Sequence, residues 1–209
     1  LFHNRMLELI KTARHRIMMT VLYLQDDDCG REILDALYKA KANNPHLYVK
    51  IYVDFHRAQR GLIGKEHSLG NSELYYKRAE NCDTPPSIYG VPVKRRELFG
   101  VMHLKGCVFD DTVLYSGASI NDVYLDFNNR YRLDRYHEIY SPHLADSMCA
   151  YVNEAFHTNY AVQDFSQGEV KNAKQIRDEI RVLTRHLTKV QYNFKGEHIG
   201  RQDIGICPI

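Results

Sequence analysis

The chain has 209 residues, 44% of them hydrophobic and 26% charged, enough to bury a substantial core and too apolar for wholesale disorder. A formal net charge of +2 is too mild to point to nucleic acid by bulk electrostatics, although 11 histidines make the chain more basic as pH falls. Apolar runs stop at about five residues, which excludes a membrane-spanning helix, and no cleavable leader is evident.

The five cysteines, Cys29, Cys82, Cys107, Cys149 and Cys207, are scattered and never form a C-x-x-C pair. That is the pattern of reduced thiols in a cytosolic protein, and it fits neither a disulfide framework nor a zinc site. The chain opens on Leu1 and is expected to be part of a longer product.

In chain order, Leu7 to Ala13 lies in an amphipathic helical stretch, and Arg16 to Leu24 has the composition of a buried strand. "QDDDCG" supplies turn and N-cap residues. The helical spacing of Ile33, Leu34, Leu37 and Tyr38 then predicts a helix that stops near Asn43 to Pro45. Leu47 to Phe55 alternates and is rich in Val, Ile and Tyr, so it is a second strand, and strand–helix–strand implies a parallel sheet. His56 to Gly70 is a long loop beyond that strand's carboxyl end, where open α/β sheets bind ligands. A short helix over Ser72 to Glu80, a proline-rich break, a strand in "IYGVPV" and a basic turn at Lys94 to Glu97 follow. Strands are expected at Val101 to Phe109 and Val113 to Ser116, and a third at the end of the tyrosine-rich stretch Asn121 to Tyr140. Leu144 to Phe156 and Ala173 to Leu187 are helical, and the last dozen residues carry no pattern.

His103 and Lys105 are an odd choice for a core strand. Residues two apart on a strand share a face, so both project together, away from Leu104 and Val108. An imidazole beside an ammonium suits an anion: lysine supplies charge, and histidine supplies a nucleophilic nitrogen or a proton near neutral pH. Alone, an H-x-K pair is most simply the solvent face of an edge strand. Here Asp110 follows, and Ser116-Gly117-Ala118-Ser119 leads to Asn121, a turn whose amides and hydroxyls can complete a phosphate cradle. The chemistry suggested is attack on a phosphodiester. Cys107 shares the parity of His103 and Lys105 and is expected to be a small core filler.

The pattern H-x-K-x4-D before a Gly/Ser turn and an Asn resembles the HKD motif of the phospholipase D superfamily. "HLKGCVFDDTVLYSGASINDVYL", "VDFHRAQRG", "YGVPV" and "RYRLDRYH" together resemble the bacterial phosphatidylserine synthases of that superfamily, from the first helix to Phe194. The resemblance implies an α/β fold with a phospholipase D-like mixed sheet flanked by helices, forming one HKD half. Residues 1–165 would be that domain. Residues 166–209 would be a helix and connector toward a second HKD half, supplied by the same full-length chain or a second protomer.

The implied reaction moves the phosphatidyl group of CDP-diacylglycerol to L-serine through a phosphohistidine, releasing CMP. His103, Lys105 and Asp110 are the expected catalytic set, with Asp110 structural or orienting. The resemblance implies no cofactor, no metal and no nucleic acid. It implies a cytoplasmic protein held reversibly at an anionic inner-membrane surface. The superfamily's Gly-Ser-x-Asn does not align cleanly, so either Ser119 or Asn121 takes the phosphate-contacting role. The carboxylate that orients the histidine is Asp134 or Glu138.

Asp54, His56, Arg57 and Arg60 end a strand and open the loop, and the three cations suit a diphosphate clamp. Arg132, Asp134 and His137 in "YRLDRYH" are candidates for headgroup or cytidine contacts. Lys94-Arg95-Arg96 is a solvated turn or a lipid contact. Arg177, Arg181 and Arg185 form a cationic stripe beside Ile176, Ile180 and Leu183, suited equally to packing on a missing half, to lying on a membrane, or to a plain surface helix. Rival readings are a homodimeric phospholipase D-type nuclease, a cardiolipin synthase-like transferase and an inert packing module.

Overall fold

The computed structural model describes residues 2–60, 70–127, 129, 132–157, 159–168 and 170–193. Helix α1 (Phe2–Thr12) leads into β1 (Arg16–Thr20). Asp27 then caps α2 (Asp28–Asn43) by accepting the Gly30 amide, and β2 (Tyr48–Asp54) returns parallel to β1. Helices α3 (Phe55–Gln59) and α4 (Asn71–Glu80) carry the chain to β3 (Ser87–Val91), parallel to β2. β4 (Gly106–Phe109), β5 (Thr112–Ser116) and β6 (Tyr136–Tyr140) form an antiparallel meander on the other side of β1. Ser141 caps α5 (Pro142–Val152), with Pro142 in the first turn where its missing N–H costs nothing. A π-turn over Asn153–His157, the short β7 (Gln163–Asp164) and α6 (Arg177–Leu187) complete the described chain.

The sheet order is β6-β5-β4-β1-β2-β3-β7. It is mixed because β1 pairs parallel with β2 and antiparallel with β4. The carboxyl ends of β1, β2, β3 and β5 therefore share one sheet edge with the amino ends of β4 and β6. Ile17, Met19, Ile33, Leu34, Leu37 and Ile51 are fully buried beneath it, each contributing about 1.5–3 kcal/mol of hydrophobic stabilisation. Cys29, Cys82, Cys107 and Cys149 are free thiols, and burial raises the Cys107 thiol to about 12. Among the described residues, no helix is long and apolar enough to cross a membrane.

Three sequence expectations are corrected. The strand expected at Val101 begins only at Gly106, because β1 ends at Thr20, the partner of Gly106, and residues 101–105 have no ladder to join. Gly106 itself takes φ +151°, which breaks the strand alternation and explains why Cys107 is buried while His103 is exposed. The first strand also stops at Thr20, and Leu24 makes only an isolated bridge to Ile120. On α6, Ile176, Ile180 and Leu183 are buried in this chain's own core, so its apolar stripe already has a partner. Of the expected loop His56 to Gly70, the first residues are helical in α3 and residues 61–69 lie outside the described residues, as do 128, 130 and 131 of the tyrosine-rich stretch and the C-terminal residues from 194.

Candidate active site

The sheet topology gathers the candidates. Asp54 ends β2, and His56 and Arg57 follow it; after β3 comes the turn Lys94 to Glu97; before β4, His103 and Lys105; after β5, Gly117 to Asn121; before β6, Asp134. All sit at the shared edge. His103 is exposed and Lys105 half-buried, in an extended segment where Leu104 turns toward the core.

The Lys105 ammonium donates to the Gly117 carbonyl, so the lysine bridges the start of β4 and the turn after β5. Burial lowers its pKa against the field of Tyr124 and Asp134. Asp134 stands over the same turn: a Cβ on Gly117 would lie 3.3 Å from its Oδ2. The two carboxylates left open by the sequence lie in different surroundings. Glu138 lies on β6 and is taken by the Arg5 guanidinium of α1, with Arg5 Nε donating to Oε2 at 2.8 Å. That hydrogen bond holds its pKa below the ordinary range. Asp134, before the strand, is the carboxylate beside Lys105.

Asn121 uses both ends of its amide in the turn. Its Oδ1 accepts the Tyr124 amide at 3.0 Å, and its Nδ2 donates to the Tyr23 hydroxyl at 3.2 Å. Ser119 is buried, and the Ser116 hydroxyl accepts the Ala118 amide. Tyr23 also underlies the Arg57 guanidinium, 5.2 Å from ring centre to Cζ, so it joins the Asn121 turn to the basic residues of α3. Neither Tyr23 nor Tyr124 stands out in the sequence, where one is part of a strand-like run and the other of a tyrosine-rich stretch.

The α3 cations have internal partners. Arg57 Nη1 donates to Glu97 Oε1 at 3.2 Å, Arg60 Nη1 reaches the same oxygen at 2.8 Å, and the His56 ring meets the Lys94 carbonyl at 2.7 Å. One carboxylate thus holds two guanidinium groups side by side, the geometry that would receive a phosphate. Arg132 stacks on Tyr124 and donates to its hydroxyl at 3.2 Å. His137 lies one rung into β6, opposite Tyr115, with both side chains exposed.

Asp110 stands apart, at the far edge of the sheet. Its carboxylate accepts the Arg14, His15 and Arg16 amides at 2.8 to 2.9 Å, fastening the turn between α1 and β1. Burial works against the ionised form, but the three amides prevail and depress its pKa. Of the expected set, His103 and Lys105 lie at the shared edge, whereas Asp110 lies at the far edge and fastens the turn between α1 and β1. A hollow lined by Leu9, Ala13, Phe109 and Tyr140 also opens at that far edge. Among the described residues, no group of three or more His, Cys, Asp or Glu side chains is placed to hold a metal.

Residues 6–155 match the family described as cardiolipin synthase, PLD-like domain. The CDP-diacylglycerol–serine O-phosphatidyltransferase of Haemophilus influenzae is 46% identical over 191 residues, 90% of this chain and 42% of that protein. Its Escherichia coli counterpart is 42% identical over 197 residues, 94% of this chain and 44% of that protein. The crystal structure of the Haemophilus influenzae phosphatidylserine synthase superposes with a TM-score of 0.87 at 43% identity, covering 93% of this chain and 43% of that one. The chain thus spans under half the length of the relatives it matches.

Proposed function

Because the chain belongs to the PLD-like family of the cardiolipin synthase type, we propose that it is one half of a phosphatidyltransferase acting on CDP-diacylglycerol and L-serine. What carries the reading is the pairing of an exposed His103 with a Lys105 fixed on the Gly117 turn beside Asp134. The 46% identity to a protein of that activity supports it.

In the proposed reaction, His103 and a histidine of a second HKD half divide the work. One ring nitrogen attacks the diacylglycerol-bearing phosphorus, the P–O bond to CMP breaks, and the other imidazolium gives its proton to the departing CMP. The second histidine, now neutral, takes the proton of the serine hydroxyl as that oxygen displaces the first histidine from phosphorus. Lys105 stabilises the equatorial oxygens, where charge accumulates in the pentacovalent state. Asp134 orients the site, and Ser119 and Asn121 shape the turn that receives phosphate. Arg57 and Arg60, with His56 behind them, hold the single phosphate of the departing CMP, and His137 lies on the headgroup side.

The substrate resides in a bilayer, so the reading includes reversible docking on an anionic surface from a cytoplasmic location. Leu98 and Leu133 are 87% and 94% exposed, and each is flanked by cations: Lys94, Arg95 and Arg96 near one, Arg132 and Arg135 beside the other. Co-sedimentation with anionic vesicles should fall as salt rises; binding indifferent to salt would defeat electrostatic docking.

The decisive experiment uses the complete, two-motif gene product. Incubated with CDP-diacylglycerol, labelled serine and EDTA, it should release CMP only when serine is present, and His103→Ala should abolish that release. Full activity in the variant would reduce His103 to a surface residue. The matched family is described as cardiolipin synthase, which favours a second reading with a glycerol-bearing acceptor. Replacing serine by phosphatidylglycerol in the same assay separates the two.

A further inference from the structure

Asp54 is completely buried, and its two oxygens serve two different segments. Oδ1 accepts the Arg57 amide at 2.8 Å and caps α3. Oδ2 accepts the Met102 amide at 2.7 Å, from a residue 48 positions further along the chain. Met102 immediately precedes His103, in the segment that belongs to no strand. Without a ladder, that segment depends on point contacts for its position.

A cap by itself does not call for a buried aspartate, since serine or asparagine caps a helix as well. Burial makes the charge costly here, raising the Asp54 pKa despite the two amides that favour its ionised form. The cost is intelligible if the second oxygen is needed. A carboxylate offers acceptors in two directions, and only an acidic side chain can hold both amides at once. The same device recurs at the neighbouring strand exit. Asp27 Oδ1 takes the Gly30 amide at 2.9 Å to cap α2, while Oδ2 takes the Asp122 amide at 2.9 Å, next to Asn121. Two adjacent connections thus each spend one oxygen on their own helix and one on a segment of the candidate site.

We infer that Asp54 is a positioning residue for the transfer. Through the Met102 amide it fixes the segment that presents His103 and Lys105, and through the Arg57 amide it sets that segment in register with the cations of α3. The kinetic part of this inference rests on the proposed phosphatidyl transfer; the tether itself does not.

The test uses the complete two-motif protein and begins with the wild type. In hydrogen exchange, the Met102 amide should exchange at least about tenfold more slowly than the His103 and Leu104 amides. Equal rates would overturn the tether. Asp54→Ser keeps an acceptor for the cap but cannot span to Met102. It should lose protection at Met102 and retain it at Arg57. Its kcat should fall about 100-fold while KM for CDP-diacylglycerol stays within about threefold, with a displaced pH–rate profile. Loss of a cap alone would lower the thermal midpoint and leave kcat and the profile in place, and that result would overturn the positioning role. If Asp54→Ser does not fold, Asp54→Asn carries the same readouts, since its single carbonyl oxygen cannot serve both amides. A wild type that protects Met102 but does not turn over CDP-diacylglycerol with serine would defeat the transferase reading and leave the tether standing.

Discussion

Lys105 donates its ammonium to the carbonyl of Gly117, so the residue just before β4 is fastened to the turn just after β5. The bond fixes a cation at the point where Asp134 approaches the same turn, and burial depresses the lysine's pKa. The fold therefore favours its neutral form. The associated stability is present above the ordinary pKa of 10.5 and is lost as pH falls through the depressed folded value. At neutral pH the charged lysine is a cost that the proposed transfer explains. Lys105→Met should lower kcat about 10²- to 10³-fold. The alkaline limb of the wild-type profile should fall below 10.5, where an ordinary lysine would place it. Lys105→Arg should remove that limb while recovering only part of the rate, because a planar guanidinium cannot replace a compact ammonium. An alkaline limb that survives the arginine substitution would assign it to another group.

Gly106 is the hinge on which that geometry turns. Its φ of +151° is open to glycine, and a Cβ there would sit 2.7 Å from the Met148 Cε of α5. Thr20 Oγ1 donates to its carbonyl at 3.0 Å and holds it against β1. Gly106→Ala should cost more than about 1 kcal/mol in chemical denaturation, chiefly because the backbone resists it, since the end of the Met148 side chain can swing aside. The double variant Gly106→Ala/Met148→Ala removes the clash but not the strain. It should therefore do no better than recover part of any loss in activity per folded molecule. Full recovery would mean that the contact alone made glycine necessary.

How far the sequence leads can be judged at particular residues. The parallel unit from β1 to β2 was legible because alternation and helical spacing are local signals, and the H-x-K pair was legible by its spacing. The extent of the strand that follows it was not. Its length is set by where β1 ends, at Thr20, and by the φ of Gly106, neither of which is written in residues 101–105. Glu97 as the shared partner of Arg57 and Arg60 was likewise hidden, because the pairing joins the ends of two different strands. Asp134 and Glu138 looked equivalent as carboxylates four residues apart. They part company only because β6 begins between them and turns Glu138 toward Arg5.

Asp110 shows the same limit for a motif. Its place in H-x-K-x4-D suggests a structural or orienting role without naming what it holds, and its three hydrogen bonds go to amides 94 to 96 positions earlier in the chain. Its φ of +51° is tolerated by aspartate and asparagine, so Asp110→Asn removes charge without new backbone strain. The variant should lose about 1–2 kcal/mol of stability at pH 7. The depressed pKa fixes how that loss varies with pH. The contribution is present above the ordinary value of 3.8 and is lost as pH falls through the folded value, so wild type and variant should converge in acid. Activity per folded molecule should stay within about threefold. A 100-fold fall in kcat at normal stability would return Asp110 to the chemistry.

The last prediction concerns Glu97. Its carboxylate holds Arg57 and Arg60 at 3.2 and 2.8 Å, so the proposed diphosphate fork meets its ligand with an anion already in place. A phosphate entering the fork must displace or share that carboxylate, which stands between the Arg57 guanidinium over Tyr23 and that of Arg60. Glu97→Gln keeps the size and a carbonyl acceptor while removing the competing charge. The KM for CDP-diacylglycerol should fall about three- to tenfold, with a steeper dependence on salt because the fork then carries one more unit of positive charge. Arg57→Ala should move KM the opposite way. If Glu97→Gln instead raises KM, the carboxylate acts to align the guanidinium groups, and its contacts assist binding where competition was expected.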